Sequence, residues 1–194
     1  FPLPYIKSMF NKIIKLFYIL VIFLIQYNVS FAQDRETILI ELFQNLKNKN
    51  ITNSYEIEKK IWKVWITHPT NQLLTSKLEE GSKLVKRKQF SKALEIFNEV
   101  IERDRTWAEA WNKRATVFYL IGEYKKSQDD IDKVLTLERR HFGALAGQGL
   151  VNIELKNYEK AILSYKKAKE INPSMKSSEA MIRRIEKLIK QETI

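Results

Sequence analysis

Three stretches of the chain align without a gap at an offset of 34 residues. They are Leu74–Trp107 (LTSKLEEGSKLVKRKQFSKALEIFNEVIERDRTW), Ala108–His141 (AEAWNKRATVFYLIGEYKKSQDDIDKVLTLERRH) and Phe142–Met175 (FGALAGQGLVNIELKNYEKAILSYKKAKEINPSM). Position 8 of each is small: Gly81, Ala115, Gly149. Position 20 is small again: Ala93, Ser127, Ala161. Position 17 carries a ring in Phe90, Tyr124 and Tyr158, and position 24 is bulky in Phe97, Ile131 and Tyr165. Small side chains at 8 and 20 let two helices of one unit approach closely, and the bulky positions fill the space toward the next unit. One such unit cannot bury its apolar face alone, so units stack. No alternating β-runs and no Asn-Gly or Asp-Gly hairpin signal interrupt the pattern. With only 5 Gly and 4 Pro in 194 residues, a turn-rich β-sandwich is excluded.

These columns resemble the tetratricopeptide repeat, a 34-residue helix–turn–helix unit. The resemblance implies an all-α fold, a right-handed α-solenoid of three repeats (74–107, 108–141, 142–175) in a domain spanning 73–194. Departures fall on single columns: Lys77 stands where an aromatic is usual, Asn152 replaces an apolar residue at position 11, and only Pro173 supplies the terminal proline. Trp111–Thr116 and Arg140–Leu145 further resemble small exported members of this family from Gram-negative bacteria. After the third repeat, Met181, Ile182, Ile185, Leu188 and Ile189 form one helical stripe, opposed by Arg183, Arg184, Glu186, Lys187 and Lys190. This predicts a capping helix over 176–192 that shields the last core face from water.

Upstream, residues 33–72 predict an atypical helical pair that caps the solenoid. Ile38, Leu39, Leu42, Phe43 and Leu46 share one stripe. Asn53 and Glu56 have capping-box spacing ahead of a helix over Ser54–Thr67, whose apolar face is Ile57, Ile61, Val64 and Trp65. Residues 1–32 read as a targeting segment preceded by upstream residues Phe1 to Ser8. From Met9, Lys12 and Lys15 lead into the apolar run Leu16–Ile25. Ser30-Phe31-Ala32 then places small residues at −3 and −1 of a cut after Ala32. That run is short of the ~20 residues a span needs. An uncleaved anchor is the alternative. Export implies a periplasmic or secreted protein, one whose fold does without disulfides, since the chain holds no Cys.

No catalytic constellation is legible: no P-loop, G-x-S-x-G, H-E-x-x-H or strand-bound G-x-G-x-x-G. Neither a cofactor nor a metal is expected, and with no catalytic residues the chain reads as no enzyme. Gly143, Gly147 and Gly149 lie within a helix and read as close packing. His68 is a turn residue before Pro69, and His141 a cation near a helix C-terminus. Asp129, Asp130 and Asp132 read as a solvated face paired with neighbouring lysines. The net charge of +11 is spread along the chain rather than pooled, which speaks against nucleic acid. Membrane contact is expected only during export. Homo-oligomerisation is left open by the residues.

The family resemblance supplies the expected site. Helix A positions 2, 5, 9, 12 and 13 point into a concave groove, here Leu78, Ser82, Val85 and Lys86, then Glu109, Asn112, Thr116, Tyr119 and Leu120, then Ala146, Leu150, Ile153 and Glu154. Leu78, Ser82, Val85, Asn112, Thr116, Tyr119, Leu150 and Ile153 are the expected protein-binding residues, suited to an extended or helical peptide. Some family members grip a C-terminal carboxylate through Lys, Asn and Arg. The matching positions here are Leu78, Ser82, Asn112, Gly143 and Gly147, and only the Asn is kept. The expected function is a non-catalytic scaffold or adaptor in the bacterial envelope with a protein or peptide partner. The alternative is an accessory subunit or ligand-binding component of an envelope or cell-wall complex. The groove is open unless the N-terminal helices or the cap fill it.

Overall fold

The computed structural model describes residues 3–48 and 53–192, with the side chains of 12–21, 34–48 and 53–191. Nine helices run through the described residues, with no strand: α1 (Leu3–Lys47), α2 (Ser54–Ile66), α3 (Gln72–Lys86), α4 (Phe90–Arg103), α5 (Ala108–Leu120), α6 (Tyr124–Leu137), α7 (Phe142–Glu154), α8 (Tyr158–Ile171) and α9 (Lys176–Glu192). Contacts divide the chain into two units, Phe1–Ile40 and Glu41–Ile194. The first unit is made of α1 residues, and the expected cut after Ala32 falls within that helix. Leu16, Phe17, Tyr18, Ile19 and Leu20 are exposed along it. Among the described residues no helix is long and apolar enough to cross a membrane. Ser30, Phe31 and Ala32, the expected cleavage residues, have side chains outside the described set.

In the second unit, α3–α4, α5–α6 and α7–α8 are the three helix pairs, each packed most closely within itself and then onto the next. The small columns do what their size allows. A Cβ placed on Gly81 would stand 2.5 Å from the Phe97 ring, and one on Gly149 2.5 Å from the Tyr165 ring. Position 8 of helix A is therefore the seat for the position-24 side chain of helix B. At Ala115 the same crossing is tied by Ser127, whose hydroxyl donates to the Ala115 carbonyl at 2.8 Å. Ala93, Phe97, Val100, Val134, Ala161 and Ala168 are all fully buried, and their removal from water drives pairing and stacking.

Each A–B turn closes the same way. The amides of Gln89, Glu123 and Asn157 reach back to the carbonyls of Leu84, Phe118 and Asn152, the long return bond of a Schellman motif. That motif needs one left-handed residue, which is Lys88 (φ 58°), Gly122 (φ 80°) or Lys156 (φ 57°), one period apart. Only the second repeat uses glycine there, so the two lysines hold a conformation costing roughly 1–2 kcal/mol each.

At the C-terminal end α9 takes the place of a further helix A. Ile185 is fully buried against Ala161 and Tyr165, with Met181, Ile182 and Ile189 packed around it, and Lys169 pairs with Glu179 across the α8–α9 joint. At the other end the structure differs from expectation. Asn53 caps α2 without a side-chain hydrogen bond, so the expected capping box does not form. Helix α2 sets Ile66 against the core of the first repeat, while its rings reach the starts of α5 and α7. Trp62 lies on Gly143 and Trp65 buries its ring against His141 and Phe142.

Candidate protein-binding groove

The eight expected groove residues separate into two groups. Asn112, Thr116, Tyr119 and Leu150 converge. With Ala115, Ser127, Ile131, Gly143 and Gly147 they line a cavity of about 80 Å³ between α5 and α7. Thr116 is exposed, its hydroxyl donating to the Asn112 carbonyl at 2.9 Å. The Asn112 amide donates to Glu109 at 3.1 Å. The Tyr119 hydroxyl donates to Glu154 at 3.4 Å, with the ring tilted on Tyr124 at 5.7 Å. Burial pushes the Tyr119 hydroxyl above its ordinary pKa, and the Glu154 charge adds to this, so it stays a donor. Beside it Leu120 is half exposed and Ile121 only slightly less so.

The first repeat does not join them. Leu78 is only 2% exposed, enclosed by Leu74, Phe97, Val100 and Ile101, with Ile66 of α2 against the same cluster. It belongs to the core of the first repeat, closed in by that cluster and by Ile66. Val85 is half buried on that cluster, and the Ser82 hydroxyl donates to the Leu78 carbonyl of its own helix. Ile153 packs toward the Tyr165–Ile185 cluster under the cap.

What the sequence reading missed is that α2 covers the starts of the A helices. The Trp62 ring lies on Gly143, whose added Cβ would meet it at 2.5 Å. Trp65 stacks on His141, with centroids 4.1 Å apart and planes 10° from parallel, and also meets Phe142. Phe43, near the end of α1, adds its ring to Trp65 and Phe142. The Trp107 indole donates to the Trp65 carbonyl at 2.9 Å, and the Asn172 amide donates to Glu58 at 3.0 Å. Helix α2 thus follows the repeat junctions from the first to the third. The signal in the sequence was the pair of tryptophans three residues apart on one helix. Their partners Gly143, His141 and Phe142 lie more than 70 positions away, and no local pattern marks them.

Beneath α2 lies a buried ionic group. Glu109 is 1% exposed and His141 fully buried. The Ala144 amide donates to His141 Nδ1 at 3.0 Å, so the imidazole proton sits on Nε2 and is donated to Glu109 at 3.0 Å. Lys113 approaches the other carboxylate oxygen at 2.9 Å. Burial alone would raise the Glu109 pKa, but the His141 hydrogen bond and the Lys113 charge hold it below the ordinary value. His141 is therefore a neutral N-cap of α7 and not the helix-end cation expected. His68 repeats the device: Thr70 and Asn71 amides donate to Nδ1, and Nε2 donates to Asp104 at 2.9 Å.

The acidic run also differs from expectation. Asp130 is buried and accepts two bonds from Arg114, at 2.8 and 2.7 Å, rather than facing the neighbouring lysines. Its burial still leaves the carboxyl above its usual pKa despite that partner. Among the described residues no group of acids and histidines could hold a metal ion.

Comparison with known proteins places this geometry. Residues 143–175 match the family model for the tetratricopeptide repeat. A TPR repeat-containing protein of Rhizobium etli is 30% identical over 105 residues, covering 54% of this chain and 52% of that protein. The Hsp70-Hsp90 organizing protein of Triticum aestivum is 24% identical over 103 residues, covering 53% of this chain and 18% of its own length. The chain thus spans about half of the first relative and less than a fifth of the second. Among solved structures, the Arabidopsis OM64 TPR domain superposes with a TM-score of 0.57 at 22% identity, covering 60% of this chain and 96% of that domain. The first TPR of Spaghetti (RPAP3), bound to the HSP90 peptide SRMEEVD, superposes with a TM-score of 0.58 at 18% identity, covering 60% and 93%.

Proposed function

We propose, for a chain that belongs to the tetratricopeptide-repeat family, that it is a non-catalytic adaptor holding a protein segment on the open part of its concave face. The observation that supports this is the convergence of Asn112, Thr116, Tyr119 and Leu150 on one small cavity beside exposed Leu120. The cavity has room for about one side chain. The reading is of a segment that seats one apolar side chain there and lies along Tyr119 and Leu120, hydrogen-bonding to Thr116 and Glu154. A terminal-carboxylate partner like the HSP90 peptide of the RPAP3 domain fits less well. The positions that would clamp it hold Leu78, Ser82, Gly143 and Gly147, and Trp62 lies on one of those glycines. We place the protein in the bacterial envelope, on the strength of the targeting pattern from Met9 to Ala32.

Crosslinking in intact cells tests the groove. The Asn112→Ala, Tyr119→Ala double variant is expected to lose at least tenfold in yield of its principal crosslinked neighbour while retaining its helical circular dichroism. Crosslinks unchanged by both substitutions would sink the reading. N-terminal sequencing of the chain from envelope extracts is expected to begin at Gln33; an exported chain still starting at Met9 would overturn cleavage after Ala32.

A further inference from the structure

The proposed groove shares only Gly143 with the surface beneath α2, a surface that α2 itself covers. Gly81 and Gly149 are explained by ring packing inside their own repeats. Gly143 is not: the ring over it is Trp62 of α2. The three repeat junctions each present a group to the same helix. Trp107 donates to the Trp65 carbonyl, His141 stacks on the Trp65 ring, and Asn172 donates to the Glu58 carboxylate. Lys113 lies over the Trp62 ring at 5.9 Å, a cation–π contact. Read from the receptor side, these groups specify a helix with a carboxylate, then large rings four and seven residues later.

The resident helix meets that specification imperfectly. The Trp65 indole N–H is buried without a hydrogen-bond partner, and α2 begins without a side-chain cap. Within α2 itself only Ile61 and Trp65 are buried, while Tyr55 is largely exposed. A ring lacking the N–H would fill the same place with no unsatisfied donor.

We infer that the junction surface of Trp107, His141, Gly143 and Asn172 is a receptor for an aromatic amphipathic helix, and that α2 is its resident occupant, replaced by a partner protein's helix of the same chemistry. The inference rests on the concave side being the binding side. In it, α2 screens the starts of the A helices until a better-fitting helix arrives, and the cavity at Asn112 and Tyr119 continues the same track.

The test uses the full chain and a fluorescein-labelled peptide of residues 53–68 as probe, read by fluorescence anisotropy. In the wild-type chain the resident helix competes. In the Trp62→Ala, Trp65→Ala chain the seat is vacant, and the peptide is expected to bind at least tenfold more tightly. Adding Gly143→Leu fills the seat from the solenoid side and is expected to abolish that binding. A Trp65→Phe peptide is expected to bind more tightly than the parent. The milder Glu58→Ala chain, which loses the hydrogen bonds from Asn172 and from the Trp62 indole but keeps both rings, is expected to show an intermediate gain. Equal affinity for wild-type, Glu58→Ala and vacated chains would overturn the inference, as would binding that survives Gly143→Leu. Loss of helical circular dichroism in the vacated chain would make α2 permanent core and overturn it too. A wild-type chain that sediments as a dimer with α2 exchanged between copies would overturn the partner-helix form. Because the crosslinking test of the groove is a separate readout, peptide binding that fails with crosslinks intact sinks this inference alone.

Discussion

Replacing His141 with alanine is expected to lower the unfolding free energy by about 3–5 kcal/mol at neutral pH, as measured by urea denaturation. The side chain does three things at once. It caps α7 through Nδ1, donates to Glu109 through Nε2, and stacks under Trp65. Without it, a carboxylate that is 1% exposed keeps only Lys113 and the Asn112 amide. The pH dependence follows from the direction of the Glu109 shift. Its folded pKa lies below the ordinary value of 4.5, so the stability it contributes is fully present above about 4.5. That stability is lost as pH falls through the lower folded value. In the alanine variant the opposing effect of burial prevails, the folded pKa rises, and the linkage changes sign. The difference between wild type and variant is therefore largest at neutral pH and narrows in acid. A Glu109→Gln, His141→Ala pair should cost less than the two single losses added together, because no charge is stranded. A His141→Ala loss below about 1 kcal/mol, the size of a lost cap alone, would show that the ionic group contributes nothing.

The repeat architecture was legible because its determinants are spaced by chain position alone. Gly81 and Phe97, or Gly149 and Tyr165, meet at a fixed interval of sixteen residues that recurs every period. The capping helix was legible for a similar reason: its stripe of Met181, Ile182, Ile185 and Ile189 has helical spacing and one uncovered neighbour to face. Lys88 and Lys156 hid the left-handed turn position because only Gly122 advertises it. The site was less legible. Family position placed Asn112, Thr116, Tyr119 and Leu150 together, but the same rule placed Leu78 there, and only packing shows that it is core. The course of α2 was hidden because Glu58 finds Asn172, and Trp65 finds His141, across most of the domain. Such pairings depend on where the solenoid brings its junctions, which no periodicity in residues 53–67 records.

Phe97→Ala is expected to cost about 3–5 kcal/mol and to lower the urea midpoint accordingly. The ring is fully buried, lies directly on Gly81, and contributes to the cluster of Leu78, Val100 and Ile101. Little can move in to refill its place. Gly81 has no side chain, and the helices on either side are tied by the Lys77–Glu99 ion pair at 2.6 Å and by Arg114 reaching Asn98 at 2.8 Å. In an ordinary solenoid, where each repeat touches only its neighbours, such a lesion would melt the first repeat and spare the third. Here α2 leaves the first repeat with its C-terminal end on Trp107 and continues past His141 to Asn172. Losing the first helix pair frees that end and with it the rings over the second and third junctions. Unfolding of the variant should therefore remain one transition, with tryptophan fluorescence and far-ultraviolet circular dichroism superimposed at a lower midpoint. Two separated transitions, the later one retaining helix after the tryptophans are exposed, would show that α2 does not couple the repeats.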